Sequence, residues 1–418
     1  MGRAQKRDVS TPTGEDNKLL RRLGLPHLIL YGLGVTVGAG IYVLIGLTAA
    51  EAGIYAPVSF LVAAGVVSFT GLTYAELSTR YPVSAGETIY VQEGLKRRDL
   101  AVVVGLLVAA SGVVSSATIA IGASSYLSNL VPINPVVLII GVILLLGLVA
   151  IWGVLESVTV AATLTVVEVV GLLAVIIFAF TSNPDVVAKT GQLVPPFEGS
   201  AWAGIFAGSV LAFFAFIGFE DLANIAEEAK NPRRNMPLAI LLTLLLSTVL
   251  YLGVVSAVVL TVPMAELKGS TSPLLLVFTE ASPTTLLTFN VIAVLATING
   301  ILIQMIMSSR ILYGLSKNGY LPKSISHVSK TTGTPVFATI VVVIVILVLA
   351  LFLPVEGLAE WTSRLALLIF CIVNIALIGL KKQKRAIPKA GFTVPMFVPV
   401  IGLVTSALLL IYSLSTLF

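Results

Sequence analysis

Charged residues are scarce in this chain of 418 residues: Asp, Glu, Lys and Arg make up 11% of it, whereas 57% is hydrophobic. So few charges cannot cover the surface of a soluble globule of this size. The composition therefore predicts a polytopic membrane protein.

Cysteine and histidine are almost absent. The single cysteine, Cys371, excludes an intramolecular disulfide, and the two histidines, His27 and His327, fall at span edges or in loops. No group of His, Cys and carboxylate residues has the spacing of metal ligands. No nucleophile and base stand at a defensible spacing either, so the sequence predicts no enzyme activity, no metal and no cofactor.

Long apolar runs dominate what is present. Eleven runs have about 18 or more residues, the length that a membrane-spanning helix needs. They cover residues 25–47, 57–78, 100–128, 135–153, 158–180, 203–225, 237–260, 285–310, 336–354, 360–380 and 394–416. A polar tail, residues 1–24, precedes them, and the last predicted segment is residues 394–418.

Basic residues indicate the orientation. With a cytoplasmic N-terminus, all but three of the 25 Lys and Arg residues fall on the cytoplasmic side, the exceptions being Lys189, Lys268 and Arg364. This asymmetry follows the positive-inside rule and predicts an integral protein of the cell (plasma) membrane with an extracellular C-terminus at Phe418. Because the basic residues are scattered over five segments, nucleic-acid binding is not implied.

Glycines interrupt the first and sixth spans. Span one carries Gly32, Gly34, Gly38 and Gly40, and span six has Gly218 at mid-membrane depth. Close helix packing through small residues could explain any one of these glycines. It does not explain their corresponding positions if residues 25–180 and 203–380 form two five-span repeats, a pattern that points to a binding site at the midplane.

An interruption of this kind frees backbone groups. Unwound N–H groups and a helix N-terminus favour a carboxylate, and freed carbonyls favour an ammonium group. A zwitterionic amino acid needs both. Glu220 and Asp221 follow the second interruption, and acidic residues at such depth face a protein interior or a water-filled cavity.

Several motifs carry a family resemblance. Residues 32–43 (GLGVTVGAGIYV) and 213–220 (FFAFIGFE) with 227–232 (EEAKNP) resemble the first and sixth helices of the amino acid, polyamine and organocation (APC) transporter superfamily. Its cationic amino acid transporter branch, with archaeal and bacterial amino acid permeases, is the most similar. Residues 74–77 (YAEL), 82–87 (PVSAGE), 309–314 (SRILYG) and 318–322 (NGYLP) add to the resemblance, which covers spans one to ten.

The resemblance implies an all-α protein with a leucine-transporter-type fold: two inverted five-helix repeats, with helices one and six broken. Relatives with twelve spans have one more than this chain. The implied substrate site comprises Val37, Gly38, Ala39, Gly40 and Ile41 of span one and Phe214, Ala215, Phe216, Ile217, Gly218 and Glu220 of span six. Backbone near Gly38 to Gly40 would bind the substrate carboxylate.

By the same resemblance, the carbonyls of Phe214, Ala215 and Ile217 would bind the amino group, and Phe216 could cover the substrate. Glu220 matches an acidic position of the family's sixth helix. A structural role for Glu220, as a helix cap or a buried pair, remains equally open.

Glu168 departs from relatives that carry a lysine in span five thought to replace a sodium ion. A buried carboxyl group can take up and release a proton, so Glu168 is a candidate proton carrier. Alternatively it could help bind sodium with Thr297, Asn299 or Ser308 of span eight, or have a structural role.

These observations predict a secondary active amino acid transporter that works by alternating access, with proton symport as the first hypothesis. Sodium coupling and exchange, of amino acids or polyamines, are the alternatives. A passive channel or a receptor is disfavoured, because the spans lack the repeated polar residues of a pore lining. The expected partners are an amino acid, a proton or sodium ion, and the lipid bilayer.

Two further pairs have helical spacing. Glu76 with Arg80 and Glu360 with Arg364 stand four residues apart and are predicted to form ion pairs. Because span ten often forms part of a gate in this fold, a role for Arg364 in an outer gate also stays open.

Overall fold

The computed structural model describes residues 21, 23–83, 86–152, 158–183, 185–270, 272–329, 331–383 and 391–415. Every named element in these ranges is helical, apart from one isolated bridge between Leu23 and Ala229. The all-α prediction is therefore confirmed. Most of the predicted tail, the basic residues Lys384, Arg385 and Lys389, and the predicted outer end at Phe418 lie outside the described residues.

Among its described residues, the first half of the chain contains eight α-helices. They are α1 Leu25–Thr36, α2 Ala39–Ala52, α3 Ala56–Arg80, α4 Gly86–Leu95, α5 Arg98–Ser128, α6 Pro135–Trp152, α7 Val158–Ser182 and α8 Val186–Lys189. Short 3₁₀ helices, Gly53–Tyr55 and Thr190–Leu193, follow α2 and α8.

In the part of the second half that the structure describes, there are seven α-helices. They are α9 Gly199–Phe214, α10 Pro232–Thr261, α11 Met264–Gly269, α12 Pro283–Lys317, α13 Val336–Phe352, α14 Val355–Lys382 and α15 Phe397–Ser415. Two 3₁₀ helices complete this half: Phe219–Glu228 after α9 and Pro273–Phe278 before α12.

The eleven predicted spans all have counterparts. Within the described residues, nine segments are long and apolar enough to cross a membrane, and two apolar helices, Leu25–Thr36 and Val336–Phe352, are shorter. Span one consists of α1 and α2, and span six of α9 and the helix Phe219–Glu228. The observed helices extend past several predicted ends, as at Lys317, because hydropathy detects the apolar part of a helix and not its polar ends.

The broken sixth span lies in the interior of the bundle. In the most apolar window of Gly199–Glu228, 72% of residues are buried, against 33% for α6 and for α15. Helix α6 exposes Leu145 and Leu148, as expected where side chains face lipid. The interrupted span is therefore central, with peripheral helices around it.

Two buried ion pairs share the carboxylate of Glu76. Glu76, fully buried, contacts Arg80 at 2.5 Å and Lys381 at 2.7 Å, and it accepts the amide of Val394 at 2.8 Å. This network joins α3 and α14 to the segment before α15. Because both cations surround one carboxylate, its loss would leave two poorly compensated charges.

Arg364 connects α14 to α15, the helix of span eleven. Its guanidinium contacts Glu360 at 2.6 Å and donates to the hydroxyl and the carbonyl of Ser413 at 2.8 and 3.0 Å. Both predicted ion pairs are thus present. These contacts make Arg364 an anchor for α15.

Candidate functional site

The first break lies where the glycine pattern of span one predicts it. Helix α1 ends at Thr36 and α2 begins at Ala39, with Gly38 as its N-cap at a ψ of −134°, far from a helical value. The amide of Val37 still donates to Leu33 at 2.6 Å. The first amides of α2 have no intrahelical acceptor, because they belong to its first turn, and they point toward the break. Gly38 has no side chain that could cap them.

The second break follows Phe214. A turn at residues 215–218 joins α9 to the helix Phe219–Glu228, and Gly218 adopts a φ of +121°. Side chains rarely tolerate this conformation, and a Cβ at Gly218 would also lie 2.8 Å from the carbonyl oxygen of Val35. The glycine is therefore required by both the turn and its neighbour.

The two breaks touch each other. A Cβ at Gly40 would lie 2.6 Å from the Cα of Ala215. The start of α2 thus approaches the end of α9 backbone to backbone. The structure therefore brings together residues 38–40 and 214–218, which the sequence analysis predicts for the substrate site.

A small cavity, here named the central cavity, opens beside this contact. Three of its lining residues, Gly40, Phe214 and Ile217, belong to the predicted substrate site. The full lining is Val35, Thr36, Gly40, Ser115, Ile119, Phe214, Ile217, Gly300, Ile303 and Gln304. Thr36, Ser115 and Gln304 were missed from the sequence, although each is a polar residue within an apolar run.

A second small cavity, here named the acidic cavity, shares Ile217 and Gln304 with the first. Glu87 of α4, Glu220 and Asp221 line it, together with Ser308 and eight further residues, none of them Lys or Arg. Three carboxyl groups therefore lie directly beside the central cavity.

The three carboxylates have different partners. Glu220 accepts the amide of Gly218 at 2.9 Å, and Glu87 accepts the hydroxyl of Tyr74 at 3.3 Å. One oxygen of Asp221 is buried with no partner among the described residues. Glu87 lies between spans, and burial raises its pKa from 4.5 to about 7. Glu220 combines the capping role with a position in a cavity wall, so both of its proposed roles remain open.

Other predicted site residues are buried beside the cavities and do not line them. Val37 and Ile41 are fully buried, and Gly38 lies against α12 at the carbonyl of Ala296. Ala39 begins α2, and its side chain lies outside the described part of the structure. Phe216 packs edge-on against Tyr251, with ring centroids 5.1 Å apart, and it lines neither cavity.

Glu168 meets only one of its three predicted co-ligands. Asn299 donates to one carboxylate oxygen of Glu168 at 3.2 Å, and the other oxygen is buried without a partner in the described residues. The hydroxyl of Thr297 donates to carbonyls of its own helix. Ser308 lies about 13 Å beyond Asn299 along α12, and it donates to the carbonyl of Ala109.

A bundle of membrane-length helices, with two helix breaks in contact beside a central cavity, indicates a membrane transporter. The sequence pattern of the family described as amino acid permease matches residues 23–418. The chain therefore belongs to the amino acid permease family, within the APC superfamily, and the resemblance described above is confirmed.

Individual relatives agree with this assignment. The chain is 30% identical to a branched-chain amino acid permease of Bacillus subtilis, with 92% of this chain and 86% of the relative covered. It is 29% identical to the vacuolar cationic amino acid transporter 2 of Arabidopsis thaliana, over 90% of this chain and 62% of that longer protein. It is also 28% identical to a methylthioribose transporter of Bacillus subtilis, over 96% and 90%.

Proposed function

We propose that this protein is a secondary active amino acid transporter that binds both charged ends of its substrate between the two helix breaks. The observation that carries the proposal is the approach of Gly40 to Ala215, which sets the N-terminus of α2 against the C-terminus of α9 beside the central cavity. A helix N-terminus has a partial positive charge and a C-terminus a partial negative one.

The carboxylate end of the substrate is assigned to the start of α2. Amides at Gly38, Ala39 and Gly40 belong to the first turn, where no intrahelical carbonyl is available. Helix N-termini bind anions in this way. Of these residues, Gly40 lines the central cavity.

The ammonium end is assigned to the end of α9. The carbonyl of Phe214 accepts the amide of Ile217 at 3.1 Å, and the carbonyl of Ala215 accepts the hydroxyl of Tyr251 at 2.8 Å. Each carbonyl oxygen has a second lone pair for an ammonium donor. The acidic cavity, with its three carboxyl groups, adjoins this side of the site at Ile217.

We further propose that residues 25–180 and 203–380 form two inverted repeats, with residues 394–418 as an added span. The chain entering span one pairs with the chain leaving span six: the amide of Leu23 donates to Glu228 at 3.1 Å, and the amide of Lys230 donates to Leu23 at 2.8 Å. Spans one and six therefore run in opposite directions, as inversion requires. Alternating access would then move one repeat's elements against the other around the breaks.

Proton coupling through Glu168 is the proposed energy source. Its carboxylate is buried in α7, has Asn299 as its side-chain partner and keeps one oxygen without a partner among the described residues. A carboxyl group so placed can carry a proton between two states. Sodium would require further converging oxygen ligands, and the hydroxyl of Thr297 is directed to its own helix.

We propose the plasma membrane as the location and the cytoplasm for residues 1–24. The support is the distribution of Lys and Arg between the alternate loops.

The experiment is uptake of a panel of radiolabelled L-amino acids into proteoliposomes, with proton and sodium gradients imposed separately. An inward proton gradient should drive accumulation by the wild type and not by Glu168→Gln. The exposed Glu280→Gln variant is the matched control and should behave as wild type. Full pH dependence in Glu168→Gln would exclude the proton role, sodium-driven accumulation would establish the alternative coupling, and no uptake of any amino acid would refute the transport proposal.

A further inference from the structure

Tyr251 bridges the two helix breaks. It lies in α10, fully buried, and its hydroxyl oxygen is 2.6 Å from the carbonyl oxygen of Thr36 and 2.8 Å from that of Ala215. Thr36 is the last residue of α1, and Ala215 is the C-cap of α9. One side chain therefore contacts the backbone at both interruptions.

The phenol has one proton for two acceptors. A tyrosine hydroxyl donates a single hydrogen, and a carbonyl oxygen can only accept. At any moment, therefore, one of the two carbonyls receives the full hydrogen bond and the other does not. A buried carbonyl without a donor is costly, so the two breaks compete for Tyr251.

The ring is held while the proton can reorient. Phe216 packs against the ring of Tyr251 at 5.1 Å between centroids and Phe60 at 5.9 Å, both in edge-to-face geometry. Rotation about the C–O bond moves the hydrogen from one carbonyl to the other and requires no movement of this packing.

We propose that Tyr251 is a positioning residue that couples occupancy of the site to the break in span one. This inference rests on the proposed binding of the substrate ammonium group at the carbonyl of Ala215. In the empty site the hydroxyl of Tyr251 donates to Ala215. When an ammonium group arrives it supplies a donor to that carbonyl, and the hydroxyl turns to Thr36 and fixes the end of α1.

The test compares Tyr251→Phe with Tyr126→Phe in proteoliposomes, with the amino acid that the wild type transports best. Tyr251→Phe keeps the ring and removes only the hydroxyl. Tyr126→Phe is the matched control, because Tyr126 is also fully buried and donates to a backbone carbonyl at 2.6 Å, that of Tyr42 in α2, and not to Thr36 or Ala215.

Tyr251→Phe should lower the maximal transport rate about tenfold with KM unchanged or lower, because the ammonium group still finds the carbonyl of Ala215 but no longer controls α1. Tyr126→Phe should keep the wild-type rate. The inference is overturned if Tyr251→Phe matches the wild type, if it raises KM alone, or if both variants change equally. If the wild type transports no amino acid, the proposed function fails as well, which separates the two results.

A second measurement decides the matter if Tyr251→Phe does not fold. Hydrogen–deuterium exchange of the wild type is compared with the amino acid and with its analogue lacking the α-amino group. The amino acid should slow exchange in residues 33–40 and 213–219, and the analogue should not produce this joint protection. Protection of residues 213–219 alone by the amino acid would overturn the inference.

Discussion

Replacing Gly40 with alanine tests the contact on which the proposed site depends. The added methyl carbon would lie 2.6 Å from the Cα of Ala215, and it would also approach the ring of Phe214 at 3.2 Å. Because the nearest atom belongs to the backbone, no side-chain rotation can relieve the overlap. The start of α2 and the end of α9 must separate.

The size of the effect follows from atomic packing. Non-bonded carbon atoms rest about 3.5–4.0 Å apart, so the two breaks must move apart by about 1 Å. Overpacking of this kind costs about 1–3 kcal/mol. Since about 1.4 kcal/mol corresponds to a tenfold change in rate, Gly40→Ala should reduce kcat/KM for uptake by about fivefold to a hundredfold.

Uptake by purified protein in proteoliposomes measures this loss, with size-exclusion profiles to confirm that the variant is folded. Gly141→Ala is the control: Gly141 also lies within a span, α6, and a Cβ there meets no atom within 4 Å. It should transport as the wild type does. Wild-type kcat and KM in Gly40→Ala would refute the inference that close approach of the breaks shapes the site.

Two further predictions concern stability. Replacing Glu76 with Gln should destabilise the protein by about 3–5 kcal/mol, because Arg80 and Lys381 would lose their shared buried carboxylate, and a lower thermal unfolding midpoint in detergent would show it. An unchanged midpoint would contradict this reading of the network. Glu87 has a folded pKa of about 7, above the ordinary 4.5, so its stabilising contribution is present below about pH 4.5 and is lost as the pH rises through about 7. From about pH 5 to about pH 8, wild type should therefore lose up to about 3 kcal/mol more stability than Glu87→Gln, and parallel pH profiles would contradict the assignment.

Much of the fold follows from the sequence because lipid imposes simple rules. Apolar length predicts all eleven spans, and glycines predict both breaks, a cluster in span one and Gly218 in span six. The exact break in span one, at Val37 and Gly38, could not be derived, since four glycines offer several places to unwind.

The site was less predictable, because its walls come from helices far apart in the sequence. Tyr251 reads as an ordinary tyrosine of an apolar run, and only packing brings its hydroxyl to two carbonyls in other spans. Gln304 is similar: its place in both cavity walls depends on how α12 lies beside span six. The packing of the Phe216 ring on Tyr251 likewise could not be predicted from its motif.

The central claim is that backbone groups at the two breaks bind the two charged ends of one amino acid. Competition against labelled uptake tests it most directly, with the transported amino acid, its methyl ester and its analogue lacking the α-amino group as competitors. The amino acid should compete fully, and each modified compound should lose about a hundredfold or more in apparent affinity, because each leaves one set of backbone groups without its charged partner. Equal competition by either modified compound would contradict the claim.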